Sequence, residues 1–306
     1  MRIERTLDQG TPEWLDWRRG GITATEASCA IGASQFGSAL DVYNDKLRPK
    51  PHVVSEYEEW GSLLEDVIKF KKFAAVHPEF EVRQGACYED GWKRCSLDGQ
   101  LYQDGKCVAI LEIKTGSNES KWDPIPPGYV AQVQWQMHVT GIHKAYFAVL
   151  IQGHSYFERQ LDYDPEYCAK LEAACLDLWH CICAQTPPAA NPERKGDDEQ
   201  KALAEAAAAV PVKDDTYELS DEEYAAFVIL RDKAAEFEEK LKRQKLLLTG
   251  YLVKAKYLTH GGVTVASLVS AKGKESIDIA TLKSKYPDIY EAVRKRGNPY
   301  SYAKFG

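Results

Sequence analysis

Residues 94–115 read RCSLDGQLYQDGKCVAILEIKT, and the architecture follows from how this stretch pairs with itself. A β-like run, WKRCSLDGQLYQ, and the strongly apolar CVAILEIKT are separated by residues with turn chemistry. Asp98 stands at the end of the first predicted strand, and Glu112 and Lys114 stand on the next. Alternate side chains of a strand share a face, so Glu112 and Lys114 point one way while Leu111, Ile113 and Thr115 point the other. Two carboxylates on adjacent strands make an oxygen-rich site for a hard cation such as magnesium, with the Ile113 carbonyl as a further ligand. A cation there would acidify a bound water and stabilise charge growing on a phosphodiester. Lys114 would hold or deprotonate that water, or balance the developing charge. An ordinary surface hairpin also carries Asp, Glu and Lys. Here, however, Glu112 and Lys114 flank Ile113 inside a very apolar run, where both charges are costly to bury without a shared purpose.

Outward from this stretch the chain alternates helical and strand patterns. TPEWLDWRRGG predicts a short helix, with Thr11 as cap, Pro12 in the first turn and Gly20–Gly21 as its end. ITATEASCAIGAS predicts a second, capped by Thr23 or Thr25 and ending near Gly32. Between Glu56 and Val76, the spacing of Trp60, Leu63, Leu64, Val67, Ile68, Phe70 and Phe73 predicts a helix buried along one side. Three strands over Glu81 to Thr115, a helix over Pro127 to Thr140, two strands (KAYFAVLIQ, YFERQLDY) and a helix over Pro165 to Ala184 follow. That order predicts an α/β fold, a mixed central sheet flanked by helices, over residues 1–185. Residues 186–215, rich in Pro, Ala and charge, predict a linker or a loosely attached helix. Residues 216–306 form a C-terminal extension: a long helix from Ser220 opened by an SDEE capping box, a hairpin-like GGVTVASLVS, and a basic tail with Arg294, Lys295 and Arg296.

Composition narrows the function classes. The 306 residues are 44% hydrophobic and 28% charged, the balance of a globular protein. No apolar run approaches the roughly 20 residues that span a bilayer, and the N-terminus lacks a secretory h-region, so a cytoplasmic location in a bacterial or phage-infected host cell is expected. Eight scattered cysteines with no CxxC predict reduced thiols and no iron–sulfur or zinc site. GASQFGS has P-loop glycine spacing without the lysine, so no ATP site is expected. The net charge of −7 hides an asymmetry: ten Lys or Arg face four Asp or Glu from Tyr251 to Gly306. An acidic exterior around a basic channel still suits a nucleic-acid substrate.

Five ordered blocks over roughly residues 9 to 180 resemble the lambda-exonuclease and YqaJ-type viral recombinase family of PD-(D/E)XK nucleases: EWLDWRRGGITATEAS, WGSLLEDVI, SLDGQ, LEIKT and GYVAQVQWQMHVTG. The resemblance implies a restriction-endonuclease-like core with Asp98, Glu112 and Lys114 as its centre. It implies that Glu65 assists the metal, that Gln132 lies near the attacking water, and that Arg18 and Thr25 grip a 5′-phosphate. Thr25 stands where the family usually has Ser, and the hydroxyl survives. It further implies a processive 5′-to-3′ exonuclease on linear double-stranded DNA ends that uses two magnesium ions, with manganese able to substitute. A homotrimeric ring and a single-strand annealing partner for the 3′ overhang complete the picture. An endonuclease of the same superfamily and a catalytically silent DNA-end-binding module are the rivals. A CRISPR-associated exonuclease would be expected to carry four cysteines spaced for an iron–sulfur cluster, a spacing this chain lacks.

Overall fold

Gly85 is the point at which the predicted three-strand pattern breaks. In the computed structural model, a Cβ on this residue would lie 1.7 Å from the Leu97 carbonyl oxygen. Two chain segments cross here at a separation only glycine allows. Each of the first two predicted strands is therefore split and shared between two sheets. The structure describes residues 2–49, 54–194, 197–209, 216, 218–270 and 278–294.

The small sheet has the order β1-β3-β4, from β1 (Ile3–Arg5), β3 (Cys87–Asp90) and β4 (Lys93–Ser96). The large sheet has the order β2-β5-β6-β7-β8, from β2 (Glu81–Gln84), β5 (Gly99–Gln103), β6 (Lys106–Gly116), β7 (Lys144–Ile151) and β8 (Ser155–Asp162). All its neighbours are antiparallel except β6 and β7, which pair in parallel with Glu112 opposite Phe147 and Lys114 opposite Val149. A parallel pair needs a crossover, here α6 (Pro127–Thr140). The result is the mixed sheet flanked by helices that the sequence predicts.

The pleat sends the two faces of β6 into different cores. Leu111 and Ile113 join Ile68, Phe73, Leu101 and Tyr146 in one cluster. On the opposite face Ile110 joins a larger core with Trp135, Phe147 and Leu171. That core packs α2 (Ala24–Ala30), α3 (Ala39–Leu47), α6 and α7 (Pro165–Ala184) with the sheet, while α1 (Pro12–Arg19) is tied to β4 by the hydrogen bond from Trp14 Nε1 to Ser96 Oγ.

The helix predicted over 56–76 is only partly as expected. It comprises α4 (Glu56–Val67), a π-helical segment (Ile68–Phe73) and a last turn, α5 (Ala74–Val76). Ile68 and Phe73 are buried, whereas Trp60, Leu63, Val67 and Phe70 are exposed. The π segment shifts the helical phase, so a stripe that suits one straight helix does not stay on the covered side.

Within 186–215 lies α8 (Asp198–Ala209), with Ala202 and Ala206 buried and Asn44 Nδ2 donating to the Ala202 carbonyl at 2.8 Å. A separate compact unit holds α9 (Asp221–Leu252), the hairpin β9 (Tyr257–His260) and β10 (Val263–Ser267), α10 (Ile279–Lys285) and α11 (Pro287–Val293). Lys295 and Arg296 lie outside the described residues. Among the described residues no helix is long and apolar enough to cross a membrane.

Candidate active site

The site forms where the ladder between β5 and β6 stops. Gly99 pairs with Leu111, and beyond it the chain turns away into the other sheet. Asp98 therefore sits in the bend between β4 and β5 rather than at the end of a continuous strand. Its Oδ2 accepts the Ile113 N–H at 2.8 Å, replacing the missing ladder partner. A strand residue presents its N–H and C=O toward the same neighbour. The Ile113 carbonyl thus faces the same opened edge as Asp98.

Glu112 is 1% exposed and fully engaged. Its Oε1 accepts from Lys114 Nζ at 2.5 Å and from Gln132 Nε2 at 2.6 Å, and its Oε2 accepts from Gln136 Nε2 at 2.8 Å. Gln132 and Gln136 come from one face of α6, as their i,i+4 spacing predicts. Gln136 Nε2 also reaches the Ser96 carbonyl at 3.2 Å. The opposite amide orientation would set an oxygen against the carboxylate, so donation to Glu112 fixes it. Gln136 Oε1 is then buried without a hydrogen-bond partner among the described residues.

Burial first, and then the charge of Glu112, push the Asp98 carboxyl up to about 8, with Glu65 adding to the effect. Lys114 and the Ile113 N–H pull it back. Burial pulls Lys114 down, but the Glu112 and Asp98 carboxylates outweigh it and raise the ammonium above its ordinary value. Two carboxylates crowded in this way repel each other, which is the electrostatic signature of a place that takes a cation.

Glu65 lies close enough to raise Asp98, yet its Oε1 is 3.0 Å from Lys69 Nζ. Lys69 is fully buried and also donates to Gln84 Oε1 at 2.9 Å. Among the described residues no three acidic, histidine or cysteine side chains converge into a metal cage by themselves. A set of two carboxylates and a backbone carbonyl nevertheless fits magnesium, which keeps several waters and takes substrate phosphate oxygens.

Arg18 and Thr25 stand apart from this cluster. Thr25 is exposed in the first turn of α2, whose cap is Thr23; the Thr23 N–H donates to Glu26 Oε2 at 2.8 Å. The Arg18 guanidinium lies over the Trp14 ring at 4.6 Å, and Trp14 Nε1 donates to Ser96 Oγ at 3.1 Å. Arg18 thus connects through Trp14 and Ser96 to Gln136 and Glu112. Lys46, buried, clips this region by donating to the Arg18 carbonyl at 2.6 Å and pairing with Glu26 Oε1 at 2.9 Å. Sequence reasoning missed Lys69, Ser96 and Lys46. Only Lys69 left a signal there, as the i+4 partner of Glu65 on an apolar helix.

Residues 13–143 match the family model of the YqaJ-like viral recombinase domain. The chain is similar to the YqaJ protein of Bacillus subtilis, with 27% identity covering 99% of this chain and 96% of that protein. In structure it is similar to the alkaline exonuclease LHK-Exo of Laribacter hongkongensis (17% identity, 65% of this chain, 100% of that one, TM-score 0.48). A phage-related exonuclease from Haemophilus somnus shows 12% identity over 54% of this chain and 96% of that one, with a TM-score of 0.42.

Proposed function

We propose that the chain is a magnesium-dependent, processive 5′-to-3′ exonuclease acting on linear double-stranded DNA, releasing 5′-mononucleotides and leaving 3′ overhangs. The observation that carries the proposal is Glu112: a buried carboxylate beside Asp98, held at once by Lys114, Gln132 and Gln136. Asp98, Glu112 and the Ile113 carbonyl would hold the ion, with Glu65 entering on release from Lys69. Two ions are expected, and manganese would substitute. Bound magnesium would acidify a water and offset charge building on the scissile phosphate. Lys114, kept protonated by its carboxylate neighbours, would orient that water and balance the phosphate charge. Gln132 would hold Glu112 in its ligating rotamer and reach the water beside it.

The polarity rests on Arg18 and Thr25, matched by resemblance to the residues that hold a 5′-phosphate. A guanidinium and a hydroxyl suit that role, because a terminal phosphate carries more charge than an internal one. Processivity without ATP would follow from a homotrimer closed around the duplex, with a single-strand annealing protein taking the overhang.

The test digests linear and circular duplexes side by side, with and without magnesium and with and without a 5′-phosphate. Loss of the linear, 5′-phosphorylated duplex alone, abolished by Lys114→Ala with DNA binding retained, is expected. Nicking of the circle would establish an endonuclease, and no degradation of either would establish an end-binding module.

A further inference from the structure

Lys46 of α3 has a side chain only 4% exposed, and no step of the chemistry above uses it. Its Nζ makes two bonds, each to a helix that carries one of the residues matched to the 5′-phosphate. It donates to the carbonyl of Arg18 at 2.6 Å, in the last turn of α1, where a helix leaves its carbonyls without intrahelical partners. It also pairs at 2.9 Å with Oε1 of Glu26, the neighbour of Thr25 in the first turn of α2. The other oxygen of that carboxylate, Oε2, accepts the Thr23 N–H at 2.8 Å and so caps α2. The open end of α1 and the open start of α2 therefore meet at one ion pair.

The link between the two helices is pinned on its other side. The Ile22 N–H donates to the Trp92 carbonyl at 2.8 Å, and the Arg94 N–H donates to the Ile22 carbonyl at 3.0 Å. A Cβ on Gly21 would lie 2.0 Å from the Trp92 carbonyl oxygen, so the corner runs in direct backbone contact with the chain entering β4. With β4 on one side and Lys46 on the other, the backbones at Arg18 and Thr25 cannot change their separation without breaking a bond. Stability alone does not call for such a pair, since well-packed apolar side chains in its place are often as stable or more so. What the pair adds is direction, because the ammonium must meet one carbonyl and one carboxylate. Lys46 and Glu26 also cancel in charge, which leaves the net attraction for an anion at this corner with the Arg18 guanidinium.

We propose that Lys46, acting with Glu26, is a positioning residue that fixes the separation of Arg18 and Thr25 and thereby sets the preference for a 5′-phosphorylated DNA end over a 5′-hydroxyl end. The proposal rests on the reading that Arg18 and Thr25 hold the terminal phosphate. In this role Lys46 touches no DNA and acts through the Arg18 backbone and Glu26. Both donors bind a phosphate strongly only when they converge on it, and losing one hydrogen bond to a charged group weakens binding about tenfold or more.

The experiment measures the affinity of the full chain for two linear duplexes that differ only in a 5′-phosphate or a 5′-hydroxyl, with calcium in place of magnesium so that no strand is cut. The ratio of the two dissociation constants is the readout, because a general folding defect weakens both alike and leaves it unchanged. Arg18→Ala should abolish the wild-type preference. Lys46→Met should lower it about tenfold, through weaker binding of the phosphorylated duplex. Glu26→Gln, whose amide oxygen can still cap α2 at Thr23, should lower it by a similar factor and decides the question if Lys46→Met does not fold. The double variant should lose no more than the worse single variant, since the two residues act as one unit. A preference kept by both single variants but lost in Arg18→Ala overturns the role of Lys46 and leaves the phosphate reading standing. Losses that multiply in the double variant overturn the pairing. No preference in the wild type, or one that Arg18→Ala keeps, removes the phosphate reading and the proposal with it.

Discussion

Gln136 Nε2 lies 2.8 Å from Glu112 Oε2, so a buried amide of α6 holds the Glu112 carboxylate on β6 from the side opposite Lys114. The same nitrogen reaches Ser96 O, two residues before Asp98, and so ties both acids to one helix. Gln136→Leu should destabilise the protein by roughly 1–3 kcal/mol, because it leaves a buried carboxylate oxygen underpaired. It should lower DNA digestion about 10- to 100-fold, as for other residues that orient metal ligands. Thermal melting and the digestion assay check the two effects. Wild-type activity in Gln136→Leu would show that Glu112 needs no support from α6.

Lys69 competes with any cation for Glu65. Removing one partner of a buried ion pair costs about 3–5 kcal/mol when the other stays buried. Glu65 is 24% exposed on its side chain and can turn toward water, so Lys69→Met should cost less, about 1–3 kcal/mol. The variant leaves Glu65 free beside Asp98 and Glu112, and magnesium should therefore raise its melting temperature more than it raises that of the wild type. Melting in EDTA and in magnesium measures the difference, and equal shifts in the two proteins would remove Glu65 from the ion site.

Gly85→Ala tests whether the crossing of the two sheets sets the position of Asp98. The added Cβ would meet the Leu97 carbonyl at 1.7 Å and the Asp98 carbonyl carbon at 2.9 Å, both backbone atoms that cannot swing aside. The expected cost is about 2–4 kcal/mol, with activity lost even at temperatures where the variant is folded. Gly91→Ala serves as a comparison, since it meets nothing within 4 Å and carries only the strain of its positive φ of 63°. Activity surviving in Gly85→Ala would mean that the crossing can relax without moving the acid.

The acids and lysine were legible because strand alternation is a short-range rule: Glu112 and Lys114 share a face whatever surrounds them. The face of α6 bearing Gln132 and Gln136 was legible for the same reason. The division of residues 81–103 between two sheets was not, because it depends on a close approach of Gly85 to Leu97 that local patterns do not encode. The exposure of Trp60, Leu63, Val67 and Phe70 was hidden likewise, since the π segment that breaks the helical phase has no composition signal. Lys46 and Ser96 touch partners 28 and 82 residues away in the chain, at Arg18 and Trp14, and contacts of that span appear only in the folded molecule.

His77 contributes a pH dependence of its own. Its Nε2 lies 2.7 Å from Glu158 Oε2 and its Nδ1 2.8 Å from Glu79 Oε1, so only the doubly protonated ring donates to both carboxylates. Burial beside Phe73 and Tyr146 pulls the imidazolium down, but the bonds and charges of Glu158 and Glu79 outweigh it and the pKa is raised. A histidine whose folded pKa lies above its unfolded value of about 6.5 stabilises the fold fully below that pH and loses the contribution as pH rises through the folded value. Wild-type protein should therefore lose stability as pH rises from about 6.5 through the folded pKa of His77, with a slope from this residue of at most about 1.4 kcal/mol per pH unit. His77→Gln keeps a donor but cannot titrate, and should make the profile less steep across that range, the raised Asp98 carboxyl supplying the slope that remains. Denaturant midpoints at half-unit pH steps measure it, and parallel profiles for the two proteins would place the titrating group elsewhere.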